Sequence, residues 1–187
     1  APHCDGIISL HRNRGDILAL IRHYKVPTVD LSSEICETIA ARRILNDNVG
    51  IGRKAAEHFI ERGYANAVFV SHGPMAAGQL KRRDAFKNTM EAAGRHCQTI
   101  AIEALENALP NLPRPLAIFG NNDFVAASAL MICRQCGVDV PQQAIVLGAD
   151  NDSLQCELAP VPLSSVETNL KRRGYMAAEI LERMMRD

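Results

Sequence analysis

Short, continuously apolar runs alternate with longer stretches of helical period along this chain. The runs cover 6–9, 28–31, 67–70, 99–102, 116–119 and 144–147, and strands this uniformly apolar are covered on both faces. Between them, 47–62 carries Ile51, Ala55, Phe59 and Ile60 on one helical stripe, with Gly63 as its stop. A second helix is predicted over 123–136, closed by Gly137 and then Pro141, and a third over 169–186. That last helix is amphipathic: Met176, Ala177, Ile180, Leu181, Met184 and Met185 need a sheet to cover them. Turn residues concentrate at 72–79 and at 107–115, where Pro110, Pro113 and Pro115 fall close together. A β-α-β-α order of this kind predicts an α/β fold, a parallel, doubly wound sheet with right-handed crossovers.

Composition fits that picture. The 187 residues are 47% apolar and 22% charged, with no apolar run of the length a membrane helix needs. Formal charge balances at zero, so net charge does not point to a nucleic-acid surface; Lys81-Arg82-Arg83 and Lys171-Arg172-Arg173 read as solvated helix faces. The start, Ala1-Pro2-His3-Cys4-Asp5, lacks the pattern of a secretion signal. The six cysteines are scattered (Cys4, Cys36, Cys97, Cys133, Cys136, Cys156) and are expected to be reduced thiols of a cytoplasmic protein. Cys133 and Cys136 make a C-x-x-C at the end of a predicted helix, with no second pair for a metal site and no preceding strand for a redox motif; they read as buried helix cysteines.

In open parallel sheets, ligands bind beyond the carboxyl ends of the strands. Three polar clusters stand at such ends. Lys81-Arg82-Arg83-Asp84 opens a helix after the loop that follows 67–71, Asn121-Asn122-Asp123 follows 116–119, and Asp150-Asn151-Asp152 follows 144–147. A guanidinium, carboxamides and carboxylates are what a polyol site requires, because each hydroxyl both donates and accepts and must be paired once water is excluded. Each cluster also has a plainer reading: Asn121-Asn122-Asp123 as a helix cap, and Asp150-Asn151-Asp152 as a turn. His72 alone among the histidines falls at a strand end near these clusters, and a surface loop position is its default.

Enzyme signatures are missing from the sequence: there is no phosphate-loop motif, no G-x-S-x-G elbow and no H-E-x-x-H pair. Gly50-Ile51-Gly52 lies inside a helical pattern and lacks the third glycine of a dinucleotide fingerprint. The expectation is a binding domain with no catalysis, no cofactor and no metal. The rival that would need a metal, an α/β enzyme acting through Asp123, Asp150 and Asp152, requires a carboxylate cluster able to hold a hard cation.

The run from Asp47-Asn48 to Gly63, then Arg82-x-x-Ala85-Phe86, Asn121-Asn122-Asp123, Val138-Asp139-Val140-Pro141 and Val146-Leu147-Gly148-Ala149-Asp150-Asn151, resembles the effector-binding domain of lactose- and galactose-repressor-type regulators. The ending, Pro162-Leu163-Ser164-Ser165-Val166 with Gly174-Tyr175-Met176-Ala177-Ala178, resembles the xylose-operon regulators, which join such a sensor to an AraC-type DNA-binding domain.

That resemblance implies a periplasmic-binding-protein-like fold of type I, two doubly wound lobes joined by a hinge. The N-lobe would be 1–71 plus 166–187 and the C-lobe 72–165, in a fragment lacking the first βα unit and the C-terminal end. It implies a sugar or sugar-like effector bound in an interlobe cleft, with Arg82 on sugar hydroxyls, Asn122 as the amide after the next strand and Asp150 as the carboxylate pairing with two hydroxyls. Asn121 and Asp123 are neighbouring candidates, and a structural role is the alternative for Asp123. DNA contact would belong to a domain absent from this chain, and a homodimer would form through helix 47–62 and its neighbours. The same cleft chemistry would serve a periplasmic sugar-binding protein of a transporter. One departure from the pattern bears on the ligand: there is no tryptophan, and 73–80 offers no aromatic to stack on a sugar face, which weighs against xylose and other pentoses.

Overall fold

A computed structural model describes residues 4–10, 14–32 and 41–186. The chain divides into two compact units, Ala1–Asn46 with Asn169–Asp187, and Asp47–Thr168.

In the first unit, β1 (Ile7–Ser9), β2 (Thr28–Asp30) and β3 (Arg42–Arg43) form a parallel sheet in that order, with α1 (Gly15–Tyr24) between β1 and β2. The closing helix α7 (Leu170–Arg186) packs on β1 and β2. Of the six α7 residues expected to need cover, only Ala177 is buried; Met176 and Met185 remain exposed, while Ile180, Leu181 and Met184 are half-buried. A three-stranded sheet is too narrow to cover the whole apolar stripe. Cys36, His3 and His11 lie outside the described residues.

The second unit is a five-stranded parallel sheet in the order β5-β4-β6-β7-β8, formed by β4 (Asn66–Ser71), β5 (His96–Ala101), β6 (Leu116–Gly120), β7 (Ala144–Ala149) and β8 (Ser164–Val166). Helices α2 (Asn48–Glu61) and α3 (Ala77–Ala92) cover one face. The other face is covered by α4 (Ile102–Ala108) with its 3-10 extension Leu109–Asn111, and by α5 (Asp123–Gln135); α6 (Ser153–Leu158) joins β7 to β8.

The period-2 rule sorts the central strands between two cores. Ala67, Phe69, Ala117 and Phe119 point toward Ile51, Ala55, Phe59, Phe86 and Met90. Their neighbours Val68, Val70, Leu116 and Ile118 point toward Leu105, Leu109, Val125, Ala129 and Cys133. Both faces are dry, which is why β4 and β6 carry no polar alternation. Cys97 and Cys133 share that burial, which pushes their thiols up to about 12 and about 11 and makes them poor nucleophiles at neutral pH. Cys133 is therefore the buried helix cysteine expected, while Cys136, at the end of α5, is half-buried.

Two expectations change in detail. The strand expected at 99–102 runs from His96 to Ala101, and α4 starts at Ile102. β5 is an edge strand whose residues alternate between cover and exposure, so its polar first half hid it. The prolines of 107–115 sit in and after the 3-10 turn rather than in a wholly irregular loop. Along the chain, the division between the compact units falls at 46/47 and 168/169. β4 lies between β5 and β6, and α2 packs against α3, so 47–71 belongs with the five-stranded unit.

Candidate functional site

The order of the five-stranded sheet makes β4 the turning point. From it the chain first moves outward to β5, then crosses to β6 on the other side, so the strand order reverses between β4 and β6. Beyond the carboxyl ends of such a pair, doubly wound sheets place their ligand crevice. The helices entered from these ends deliver the polar clusters. After β4 the chain enters α3, where the Gln79 side chain accepts a hydrogen bond from the Ala76 backbone N–H at 2.9 Å. Arg82 lies on the second turn of α3. After β6, Asn122 caps α5, its Oδ1 accepting from the Val125 N–H at 2.9 Å. After β7 comes the loop of Asp150, Asn151 and Asp152, and Asp152 caps α6 by accepting from the Gln155 N–H at 3.1 Å.

Arg82 is 5% exposed, so its guanidinium must find its partners inside the protein. It donates to Asn48 Oδ1 from Nε at 3.2 Å and from Nη2 at 2.9 Å, and from Nη1 to the Asn121 carbonyl oxygen. The first turn of α2, the second turn of α3 and the end of β6 are thereby tied at one planar cation. Burial pulls the proton affinity of Arg82 down, and the charges of Asp150 and Asp123 push it back up. The close approach of α2 and α3 depends on Gly52, where a Cβ would lie 2.2 Å from the Arg82 carbonyl oxygen.

Asp123 is 1% exposed. Its Oδ1 accepts from Ser165 Oγ at 2.6 Å and its Oδ2 from the Asp152 N–H at 2.7 Å. Burial pushes its carboxyl up, the hydrogen bonds from Ser165 and Asp152 pull it down, and the charges of Asp150 and Asp152 add to the rise.

Asp150 is half-buried, has a φ of 107°, and accepts from Thr168 Oγ1 at 3.3 Å. A non-glycine residue at that φ is strained by about 1–3 kcal/mol, and such strain gathers at ligand clamps and other functional positions. Asn151 follows with a φ of 53°. Asn121, 2% exposed, keeps its side-chain Oδ1 without a hydrogen-bond partner among the described residues.

The structure thus brings the sequence candidates Arg82, Asn121, Asn122, Asp123 and Asp150 to the carboxyl ends of neighbouring strands of one sheet. It gives them different work. Arg82 and Asp123 are spent on protein groups, and the Asn122 oxygen is spent on a cap, which leaves Asn122 its NH2 as a donor. Asp150 is the least enclosed carboxylate of the group. Asn48 was not among the sequence candidates, because it sits at the start of a helical run rather than after a strand. His72 is exposed, with Nδ1 2.5 Å from Glu103 Oε1, as its loop position suggested.

The family model for the periplasmic binding protein-like domain matches residues 56–187. This chain belongs to that family. The regulator DegA of Bacillus subtilis, an HTH-type transcriptional regulator, is 30% identical over 141 residues, 70% of this chain and 42% of that protein. The xylose operon regulatory protein of Haemophilus influenzae is 26% identical over 183 residues, 89% of this chain and 47% of that protein. The chain therefore spans less than half the length of these curated relatives.

Among solved structures, the xylose-binding transcription activator xylR superposes with a TM-score of 0.84 at 24% identity, over 97% of this chain and 52% of that one. A LacI family transcriptional regulator of Enterococcus faecalis with bound ribose superposes at 0.80 with 21% identity, over 100% and 71%. The fold and family implied by the sequence motifs are borne out, and the relatives include regulators of the xylose operon among several others. No helix among the described residues is long and apolar enough to cross a membrane.

Proposed function

We propose that this chain is the effector-sensing part of a cytoplasmic transcription regulator, binding a sugar or sugar-like polyol at the carboxyl end of its five-stranded sheet and doing no chemistry on it. One observation carries the reading: the strained Asp150 loop, the buried Arg82 and the Asn121–Asp123 turn converge in one unit at the crevice of a doubly wound sheet. Asp150 is the group offered to hydroxyl donors, the Asn122 NH2 a donor beside it, and the Asn121 carboxamide oxygen an acceptor. Support comes from the relatives that are named as regulators and from a structural neighbour solved with ribose.

The test is calorimetric titration of the full chain with D-ribose, D-galactose and cellobiose. Asp150→Ala should weaken binding of the sugar that binds wild type by about 1.5–3 kcal/mol, roughly tenfold to a hundredfold, with the fold intact. Unchanged affinity would remove Asp150 from the site.

DNA contact belongs, in this proposal, to residues outside this chain, in keeping with the HTH-type names of relatives that are about twice as long. The proposal includes a homodimer. The outward face of α2, where the sequence placed the contact, carries the exposed charges Arg53, Lys54 and Glu57. The larger exposed apolar side chains of this unit are on α5 and α6, where Phe124, Met131, Leu154 and Leu158 border a hollow of about 220 Å³. Leu158→Asp should lower the sedimentation coefficient of a self-associated chain to that of a monomer; a wild type that is monomeric at high concentration would end the dimer proposal.

A further inference from the structure

We propose that Asp123 is a positioning residue: its buried carboxylate clamps the Asp150–Asp152 loop onto β8 and so holds Asp150 in the strained backbone conformation that faces the crevice. The inference rests on the reading of Asp150 as the effector-binding carboxylate, and it gives the structural alternative for Asp123 a specific task.

The loop has two consecutive residues at positive φ, 107° at Asp150 and 53° at Asn151, neither of them glycine. A segment in that state persists only where its surroundings over-determine it. The surroundings form a ladder along the chain's last strand in this unit. Asp150 N–H donates to the Val166 carbonyl at 3.1 Å, Asn151 N–H to Ser165 Oγ at 3.0 Å, and Asn151 Nδ2 to Glu167 Oε2 at 2.8 Å. The Ser165 hydroxyl that receives the Asn151 N–H gives its own proton to Asp123 Oδ1 at 2.6 Å. The other Asp123 oxygen takes the Asp152 N–H at 2.7 Å.

One carboxylate therefore joins the loop on one side to the strand it lies against on the other, across 29 and 42 residues of sequence. Each oxygen already accepts a hydrogen bond from the protein and the residue is 1% exposed, so a ligand would compete with groups that the loop itself uses. Gly148 confirms how closely the carboxylate is fitted: a Cβ there would lie 2.1 Å from Asp123 Oδ1. The charges of Asp150 and Asp152 oppose that of Asp123, so the proposal assigns the holding to the two hydrogen bonds rather than to the charge.

That distinction supplies the test. In Asp123→Asn the carboxamide accepts the Asp152 N–H with its oxygen and donates to Ser165 Oγ with its NH2, keeping both links without the charge. Asp123→Ala keeps neither, and Ser165→Ala, a smaller truncation that leaves the chain folded, cuts the strand side. Backbone amide exchange is measured on the full chain without sugar, and melting shifts are recorded with D-ribose, D-galactose and cellobiose.

Exchange at Asn151 and Asp152 should rise at least about tenfold in Asp123→Ala and Ser165→Ala, with amides of β4 and β6 unchanged, and should stay within about threefold of wild type in Asp123→Asn. The sugar-induced melting shift should fall in step with the exchange. Exchange at 151–152 unchanged in both truncations would overturn the proposal, as would Asp123→Asn behaving like Asp123→Ala. A wild type that responds to none of the three sugars would count against the Asp150 reading, and the exchange result would still decide the clamp.

Discussion

Replacing Phe86 by alanine should destabilise the protein by about 3–5 kcal/mol, roughly a fifth or more of the stability of an ordinary domain. Phe86 is fully buried at the centre of an aromatic cluster, with ring centroids 5.0 Å from Phe119, 6.0 Å from Phe59 and 6.2 Å from Phe69. Those rings come from α2, α3, β4 and β6, so the void left by truncation touches every layer on that face of the sheet. It cannot collapse cheaply, because each wall is backbone-constrained by a helix or a paired strand. Phe86 also stands one turn after Arg82 on α3, so loosening it loosens the guanidinium. Urea denaturation followed by far-ultraviolet circular dichroism measures the effect. A loss below about 1 kcal/mol would mean that this cluster does not organise the core.

The second large effect is at Arg82, where substitution should cost stability as well as sugar binding. The family resemblance implied that Arg82 grips sugar hydroxyls, so that its loss would weaken binding. In the structure, removing it leaves Asn48 Oδ1 and the Asn121 carbonyl without their donor and takes the counter-charge from Asp123 and Asp150. Breaking one side of a buried charged network costs about 3–5 kcal/mol. Arg82→Ala should therefore melt well below wild type, by roughly 6–20 °C, and bind none of the tested sugars. Arg82→Lys should recover little, since one ammonium cannot reproduce a planar fork that meets Asn48 from two nitrogens and Asn121 from a third. An Arg82→Ala protein that melts like wild type yet has lost sugar would restore the simpler role.

How much of this could be read from the residues varies with the kind of signal. α2 and α5 were legible nearly to their ends, because Asp47 and Asn122 cap them and Gly63 and Gly137, both at positive φ, end them. β4, β6 and β7 were legible because strands covered on both faces leave an unbroken apolar run. β8 was not: three residues, two of them serine and none fully buried, carry no pattern at all. Its importance comes from pairing with β7 and from Ser165, a contact between positions far apart in sequence.

The candidate site shows the same division. Residue types and strand-end positions were enough to gather Arg82, Asn121, Asn122, Asp123 and Asp150. They could not say which were spent on the protein itself, since one Arg82 partner is a backbone carbonyl and one Asp123 partner a backbone N–H, and neither appears in a side-chain inventory. The positive φ of Asp150 is likewise a fact of the fold, since aspartate is merely tolerant of that region.

The most direct test of the account is to map sugar onto the chain by amide chemical shifts. In 1H–15N spectra of the labelled protein titrated with D-ribose, D-galactose and cellobiose, the account predicts that at least one sugar moves a compact set of resonances: Asn48, Arg82, Asn121–Asp123 and Gly148–Asp152. Shifts centred instead on Phe124, Met131, Leu154 and Leu158, or no shifts with any of the three, would contradict it.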